Sequence, residues 1–229
     1  MNPAPADGAA VAGPLAGKRV LVSAGPTYED IDPVRFVGNR SSGKMGFAVA
    51  AAARAAGAAV VLVAGPVHLA TPAGVARIDV RSAAQMHAAV LGALPVDVYV
   101  GAAAVADFTP RSVSEHKIKK TAGSDALVLE LVRTPDILAE IAAHPRRPAL
   151  VVGFAAETHE VERYARGKLR NKKLDLIAAN LVGGAEGGFE RDDNALAVYW
   201  DGGERRLGPA AKTEVAEQLV RLIAERLPA

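Results

Sequence analysis

Cysteine is missing from all 229 residues. That excludes disulfides, thiolate metal sites and cysteine nucleophiles, and it is compatible with a reducing compartment. Long apolar runs are missing too. Nothing approaches the ~20 residues that a membrane-spanning helix needs, and the N-terminus lacks the basic start and apolar core of a signal peptide. The expectation is a soluble, cytoplasmic protein with no membrane partner. A basic excess is also lacking, since 27 Lys and Arg stand against 25 Asp and Glu, for a net charge of +2. This argues against a nucleic-acid partner but leaves room for a local cationic site. Aromatic residues are only 4% of the chain, so any core must close through small side chains. The five histidines, His68, His87, His116, His144 and His159, have no metal-ligand spacing and read as surface or loop residues.

What is present is alternation. Residues 1–17 are rich in Ala, Pro and Gly and read as a disordered linker or tail, with one folded domain over residues 18–229. Arg19 to Ala24 is a short apolar run of the kind that forms a buried strand. Gly43 to Ala56 is Ala-rich, unbroken by Pro and followed by Gly57, which predicts a helix with a glycine stop. Ala59 to Ala64 is a second strand, completing a βαβ unit. Further strands are predicted over Arg77–Val80, Asp97–Ala103, Ala149–Phe154, Leu174–Ala179 and Ala195–Trp200. Helices are predicted over Ser82–Leu91, Pro135–Ala143, His159–Lys173 and Lys212–Arg226. Such alternation implies an α/β fold: a three-layer, Rossmann-like, mostly parallel sheet with helices on both faces. Ligands of such sheets bind at the C-terminal strand ends.

Two connections exceed the usual ~2–6 residues of an α/β loop. Gly25 to Ser42 separates the first strand from its helix. Asp107 to Thr134 contains Lys117–Thr121 and a strand-like Leu127–Val132, and reads as a hairpin projecting as a flap. The first connection ends in Gly38-Asn39-Arg40-Ser41-Ser42-Gly43-Lys44, which fits seven positions of a P-loop, but Met45 stands where Ser or Thr should hold Mg²⁺. The helix start at Gly43 still favours an anion, with Ser41, Ser42 and Lys44 as added donors. The plainer reading is that the two serines cap the helix, and capping and anion binding can coexist because capping leaves other N–H groups free. No G-x-G-x-x-G follows the first strand, which counts against a dinucleotide-binding oxidoreductase.

The motifs taken together resemble those of bacterial phosphopantothenoylcysteine synthetases. Asp32-Pro33-Val34-Arg35 and Asn39-Arg40-Ser41-Ser42-Gly43-Lys44-Met45-Gly46 are similar to that family's substrate loop. Gly101-Ala102-Ala103-Ala104-Val105-Ala106-Asp107 is similar to its nucleotide strand end, and Lys117-Ile118-Lys119-Lys120 to its lysine-rich flap. Gly153-Phe154-Ala155-Ala156-Glu157-Thr158 and Ala178-Ala179-Asn180 complete the set, in family order from about Lys18 to Arg226. The resemblance implies a CTP-dependent ligase that joins 4′-phosphopantothenate to L-cysteine through an acyl cytidylate, in coenzyme A biosynthesis. It implies CTP as co-substrate, Mg²⁺ or Mn²⁺, and a homodimer whose flap completes the neighbour's site. In many bacteria this domain follows a flavin-dependent phosphopantothenoylcysteine decarboxylase, and the Ala/Pro-rich start resembles the linker between them. The competing readings are an NAD(P)-binding oxidoreductase on the same sheet and a non-enzymatic nucleotide-binding module.

The resemblance also assigns roles. Lys117 neutralises the triphosphate, unless Lys117, Lys119 and Lys120 are only a solvated edge. Asn39 donates to the acyl oxygen as charge develops on it, unless it is a turn former. Arg35, Ser41, Ser42 and Gly43, with Ala104 and Asn180, hold phosphopantothenate; Arg35 could instead pair with Asp32. The backbone of Gly101, Ala102 and Ala103 reads cytosine, with Phe154 against the base or ribose. Pro135, Asp136, Ile137 and Leu138 line the triphosphate. Lys168 and Lys172 share a helix face with Tyr164 and approach the nucleotide, although the whole helix is basic. Asp107 takes ribose hydroxyls or a Mg²⁺ carried on the triphosphate.

Overall fold

A computed structural model describes residues 12–120, 126–157, 159–181 and 193–228. In chain order the elements are β1 (Arg19–Ala24), β2 (Tyr28–Asp30), β3 (Phe36–Gly38), α1 (Lys44–Ala55), β4 (Ala59–Ala64), β5 (Ala76–Asp79), α2 (Ala83–Gly92) and β6 (Val98–Gly101). There follow β7 (Phe108–Pro110), β8 (Leu131–Arg133), α3 (Ile137–Ala143), β9 (Leu150–Glu157), α4 (Val161–Asn171), β10 (Leu176–Leu181), β11 (Asp193–Trp200), β12 (Gly203–Ala211) and α5 (Lys212–Arg226).

Eight strands form one sheet in the order β12-β11-β10-β9-β6-β1-β4-β5. From β10 to β5 every pairing is parallel, while β11 and β12 add antiparallel to one edge. Successive residues of β1 serve opposite faces, as strand geometry requires. Val20 and Val22 pack in the layer with α1 and α5, and Leu21 packs in the layer with α2, α3 and α4. Both faces are therefore buried, which is why β1 reads as a continuous apolar run rather than an alternating one.

The layer under α1 is thin. At Gly46 a Cβ would lie 2.5 Å from the Cβ of Ala24 and 3.4 Å from that of Ala102. This close approach sets the start of α1 directly over the strand ends. Gly46→Ala is expected to lower stability by about 1–2 kcal/mol, because overpacking outweighs the helix-propensity gain. A urea midpoint equal to or above wild type would show that α1 can shift instead.

Three departures from the sequence reading have physical causes. Leu15 is buried at 1% exposure, and its N–H donates to the carbonyl of Ala56 at 2.9 Å. The folded unit therefore begins before Lys18, and the tail reading fails for residues 12–17; residues 1–11 of that expected tail lie outside the described residues. The first long connection contains the hairpin of β2 and β3, clipped by a Tyr28–Phe36 stack at 4.0 Å. β12 was not predicted, because its Gly, Pro and two Arg suit an edge strand in which Leu207 is the buried residue. The projecting hairpin is present at its stem, where β7 pairs antiparallel with β8. The strand there is Leu131–Arg133 rather than Leu127–Val132. Among the described residues, no helix is long and apolar enough to cross a membrane.

Candidate active site

A cleft of about 860 Å³ lies at the C-terminal ends of β1, β6, β9 and β10, reached by Ser23, Gly101, Phe154 and Asn180 respectively. β1 and β6 are neighbours, yet the chain leaves β1 through α1 towards β4 on the other side. This reversal of strand order opens the crevice.

The cleft collects Asn39, Ser41, Ser42, Gly43, Gly101, Ala102, Ala103, Ala104, Asp107, Pro135, Asp136, Ile137, Leu138, Phe154, Lys168, Lys172 and Asn180. Two nominated residues are not brought in. The Arg35 guanidinium pairs with Asp32 and donates to the Ile118 carbonyl at 2.9 Å. It thus takes the alternative partner that the sequence allowed and does not line the cleft. Lys117 is exposed on the flap and does not line the cleft of its own chain. Thr121 of the lysine segment and Thr158 of the β9 motif lie outside the described residues.

The wall formed by α1 is built for an anion. Gly43 precedes the helix at φ 74, a conformation glycine adopts without strain. Gly43, as the N-cap residue, supplies no side-chain cap, and the first turn of α1 holds no acidic residue. Ser41 Oγ instead accepts from the Gly43 N–H at 3.3 Å. Ser41 thus bonds the residue that opens the helix, a role that coexists with anion binding, and the helix start keeps its positive end towards the cleft.

At the strand end, the backbone is used selectively. Ala102 N–H donates to the Ser23 carbonyl at 3.0 Å and Ala104 N–H to the Gly25 carbonyl at 2.9 Å. Thr27 Oγ1 accepts from Ala106 N–H at 2.9 Å, and Thr134 Oγ1 donates to the Ala106 carbonyl at 2.6 Å. Between these anchors the N–H and C=O of Ala103 make no hydrogen bond among the described residues. Ala103 lines the cleft, so the small residue between the anchors brings one donor and one acceptor of the backbone to it. Beneath them Ser23 Oγ and Tyr99 OH are 3.0 Å apart. Burial pushes the Tyr99 phenol up to about 12, so it works as a neutral group.

Charge in the cleft is lopsided. Arg40, Lys44, Arg133, Lys168, Lys172 and Lys212 line it, against the carboxylates of Asp107 and Asp136. The whole chain carries only +2, so the excess is concentrated here. Lys172 Nζ lies 2.8 Å from Asp136 Oδ2, and Lys168 Nζ 2.7 Å from Glu157 Oε1. Asp136 Oδ1 also caps α3 through the Ala139 N–H at 3.1 Å. Asp107 is exposed, and among the described residues its side chain makes no hydrogen bond or ion pair. Among the described residues no three His, Asp or Glu cluster as a metal cage.

Sequence reasoning missed Lys212, Asn194, Arg133 and the Ser23–Tyr99 pair. Lys212 had a signal. A lysine opening a helix opposes the dipole, and this one is only 8% exposed at the start of α5. Asn194, whose Oδ1 lies 3.4 Å from Asn180 Nδ2, had none.

Residues 15–227 match the DNA/pantothenate metabolism flavoprotein C-terminal domain family. The coenzyme A biosynthesis bifunctional protein CoaBC of Vibrio cholerae is 51% identical over 93% of the chain and 54% of its own length. The chain thus spans about half the length of the curated relatives it matches. A crystal structure of the C-terminal domain of CoaBC has TM-score 0.79 and 41% identity, covering 94% of this chain and 98% of that one. A solved Cab2 mutant in complex with phosphopantothenate-cysteine has TM-score 0.72 at 18% identity, over 92% and 87% of the two chains, a likeness of fold.

Proposed function

Because the chain belongs to the DNA/pantothenate metabolism flavoprotein C-terminal domain family, we propose that its cleft ligates 4′-phosphopantothenate to L-cysteine with CTP, in coenzyme A biosynthesis. The observation that carries this reading is the concentration of six cations against two carboxylates at the switch point of the sheet. Both early reactants are anions, and they meet only where positive charge and rigid positioning offset their repulsion.

In the first step a carboxylate oxygen of phosphopantothenate attacks the α-phosphorus of CTP. The P–O bond to the β-phosphate breaks and pyrophosphate leaves. In the second step the amine of cysteine attacks the acyl carbon, loses a proton, and CMP departs with the former anhydride oxygen. Lys168 and Lys172 stand ready for the polyphosphate, since an arriving polyanion competes with Glu157 and Asp136 for them. The start of α1, with Ser41, Ser42 and Gly43, suits the phosphate of the acid. The open N–H and C=O of Ala103 match the N3 acceptor and N4 donor of a cytosine edge, and a uracil in the same place, with both groups reversed, would oppose both of them. Phe154 then flanks the base or ribose. Asp107 would hold a divalent ion that arrives on the triphosphate, Mg²⁺ or Mn²⁺, which supplies charge neutralisation at the phosphoryl oxygens. A homodimer is part of the proposal. It is supported by exposed apolar side chains, Val34 and Phe36 on the β2–β3 hairpin and Phe108, Val113, Val128 and Leu131 on the flap. A flavin-dependent decarboxylase unit as partner rests on the bifunctional relatives.

The test is direct. With phosphopantothenate, CTP, Mg²⁺ and cysteine, mass spectrometry is expected to find the amide product, and pyrophosphate release is expected to need both CTP and phosphopantothenate. CTP, and not NADPH, is expected to raise the thermal midpoint. A folded protein that binds NADPH, or that binds CTP and yields no amide, overturns the ligase reading.

A further inference from the structure

Residue 32 draws notice because its side chain is fully buried and charged, yet it does not line the cleft. Asp32 sits in the turn between β2 and β3. Its Oδ1 accepts from the N–H groups of Val34 at 2.8 Å and Arg35 at 2.9 Å. Its Oδ2 accepts from Arg35 Nε at 3.0 Å, from Arg35 Nη2, and from the Ile118 N–H at 3.1 Å. Arg35 Nη2 also donates to the Ile118 carbonyl at 2.9 Å. The two peptide groups of Ile118 are thus gripped from both sides by one ion pair. Four residues earlier, Ser114 N–H donates to the Ile31 carbonyl at 3.0 Å, and Ser114 Oγ donates to the His116 carbonyl at 2.6 Å.

Lys117 lies inside this grip, immediately before Ile118, with its own side chain exposed. The hydrogen bonds described between residues 114–118 and the rest of the chain all end on Ile31, Asp32 or Arg35. The stem of β7 and β8 lies beyond this stretch and does not hold it.

We infer that Asp32 is a positioning residue for the flap: through Arg35 and the Ile118 peptide groups it fixes where the Lys117 ammonium is presented. Its chemical importance rests on the ligase reading above, in which Lys117 meets the triphosphate; the clamp itself does not. Arg35, which fails as a cleft residue, has its function here. The bidentate fork of an arginine suits the task, because it can span a carboxylate and a neighbouring carbonyl at once. The same neighbour holds the Asp32 carboxyl well below its ordinary range, helped by the backbone N–H groups, so the pair stays charged at working pH.

The experiment uses Asp32→Asn and Arg35→Lys in the full chain. Arg35→Lys keeps the charge but cannot span both acceptors. Amide hydrogen exchange at Ser114 and Ile118, read without substrate, is expected to quicken by about tenfold or more in each variant. A double-mutant cycle supplies the second readout. If Asp32 acts through Lys117, then Asp32→Asn combined with Lys117→Gln has the kcat of Lys117→Gln alone. If Asp32 merely supports the fold, the two losses multiply. Wild-type exchange in both variants, or multiplying losses, overturns the inference. Should Asp32→Asn not fold, Arg35→Lys carries both readouts. A wild-type protein without ligase activity sinks the functional reading alone, and exchange then decides whether the clamp exists.

Discussion

Asn39→Asp is expected to retain pyrophosphate release and to lose amide formation by about 10²–10³-fold, the range for removing one oxyanion donor. Asn39 Nδ2 lies 3.0 Å from the Val105 carbonyl and 3.4 Å from the Ala104 carbonyl. An amide nitrogen has two N–H groups. The shorter contact orients the side chain, and the longer one is weak enough to be exchanged for an acyl oxygen that gains negative charge as cysteine attacks. An aspartate here would face two carbonyl oxygens with no proton to share. It would turn away from them, and its charge would oppose the oxyanion. Asn39→Ala removes the donor without adding charge and is expected to fall between wild type and Asn39→Asp. The decisive measurement is single-turnover conversion of preformed acyl cytidylate with cysteine. A normal rate in Asn39→Asp would leave Asn39 as a turn former only.

Much of this site was legible because α/β sheets put ligands at strand ends. Once Arg19–Ala24 and Asp97–Ala103 read as buried strands, Gly101–Ala104 had to be at the crevice, and α1 had to start there. The sheet's core was equally legible, since Val20, Leu21 and Val22 have no polar alternative. What stayed hidden depends on contacts between distant segments. Tyr28 and Phe36 stack only because a turn folds back at Asp32, and the Arg81 guanidinium covers both rings from the far side of the chain, 5.5 Å and 5.7 Å from their centroids. Leu15 reads as tail because its side chain is buried in a core cluster built from later segments, and its N–H bonds the Ala56 carbonyl. Arg35 resembled a substrate residue, and its partner Ile118 is 83 residues away; no local pattern reports such a contact.

Lys117→Gln is expected to lower overall turnover by about 10²–10³-fold, the scale of removing one electrostatic stabiliser of a transferring phosphoryl group. Gln keeps most of the length and loses the charge, so the deficit isolates electrostatics. Cytidylate formation or its onward turnover is lost, read as pyrophosphate release and amide formed. Wild-type rates of both would remove Lys117 from the mechanism. Its position adds a sharper question. Lys117 is exposed and outside the cleft of its own chain, so it must reach either that cleft by flap movement or the cleft of a second copy. Mixing Lys117→Gln with Asn39→Asp separates the two. If each flap serves the neighbour in a two-fold dimer, one site of every mixed dimer is intact, and equal mixing restores about a quarter of wild-type activity. If each flap serves its own chain, every site keeps one lesion and mixing restores nothing. The exposed apolar side chains on the flap and the β2–β3 hairpin favour the first result, because a dimer formed there would bring each Lys117 to the partner's side of the interface.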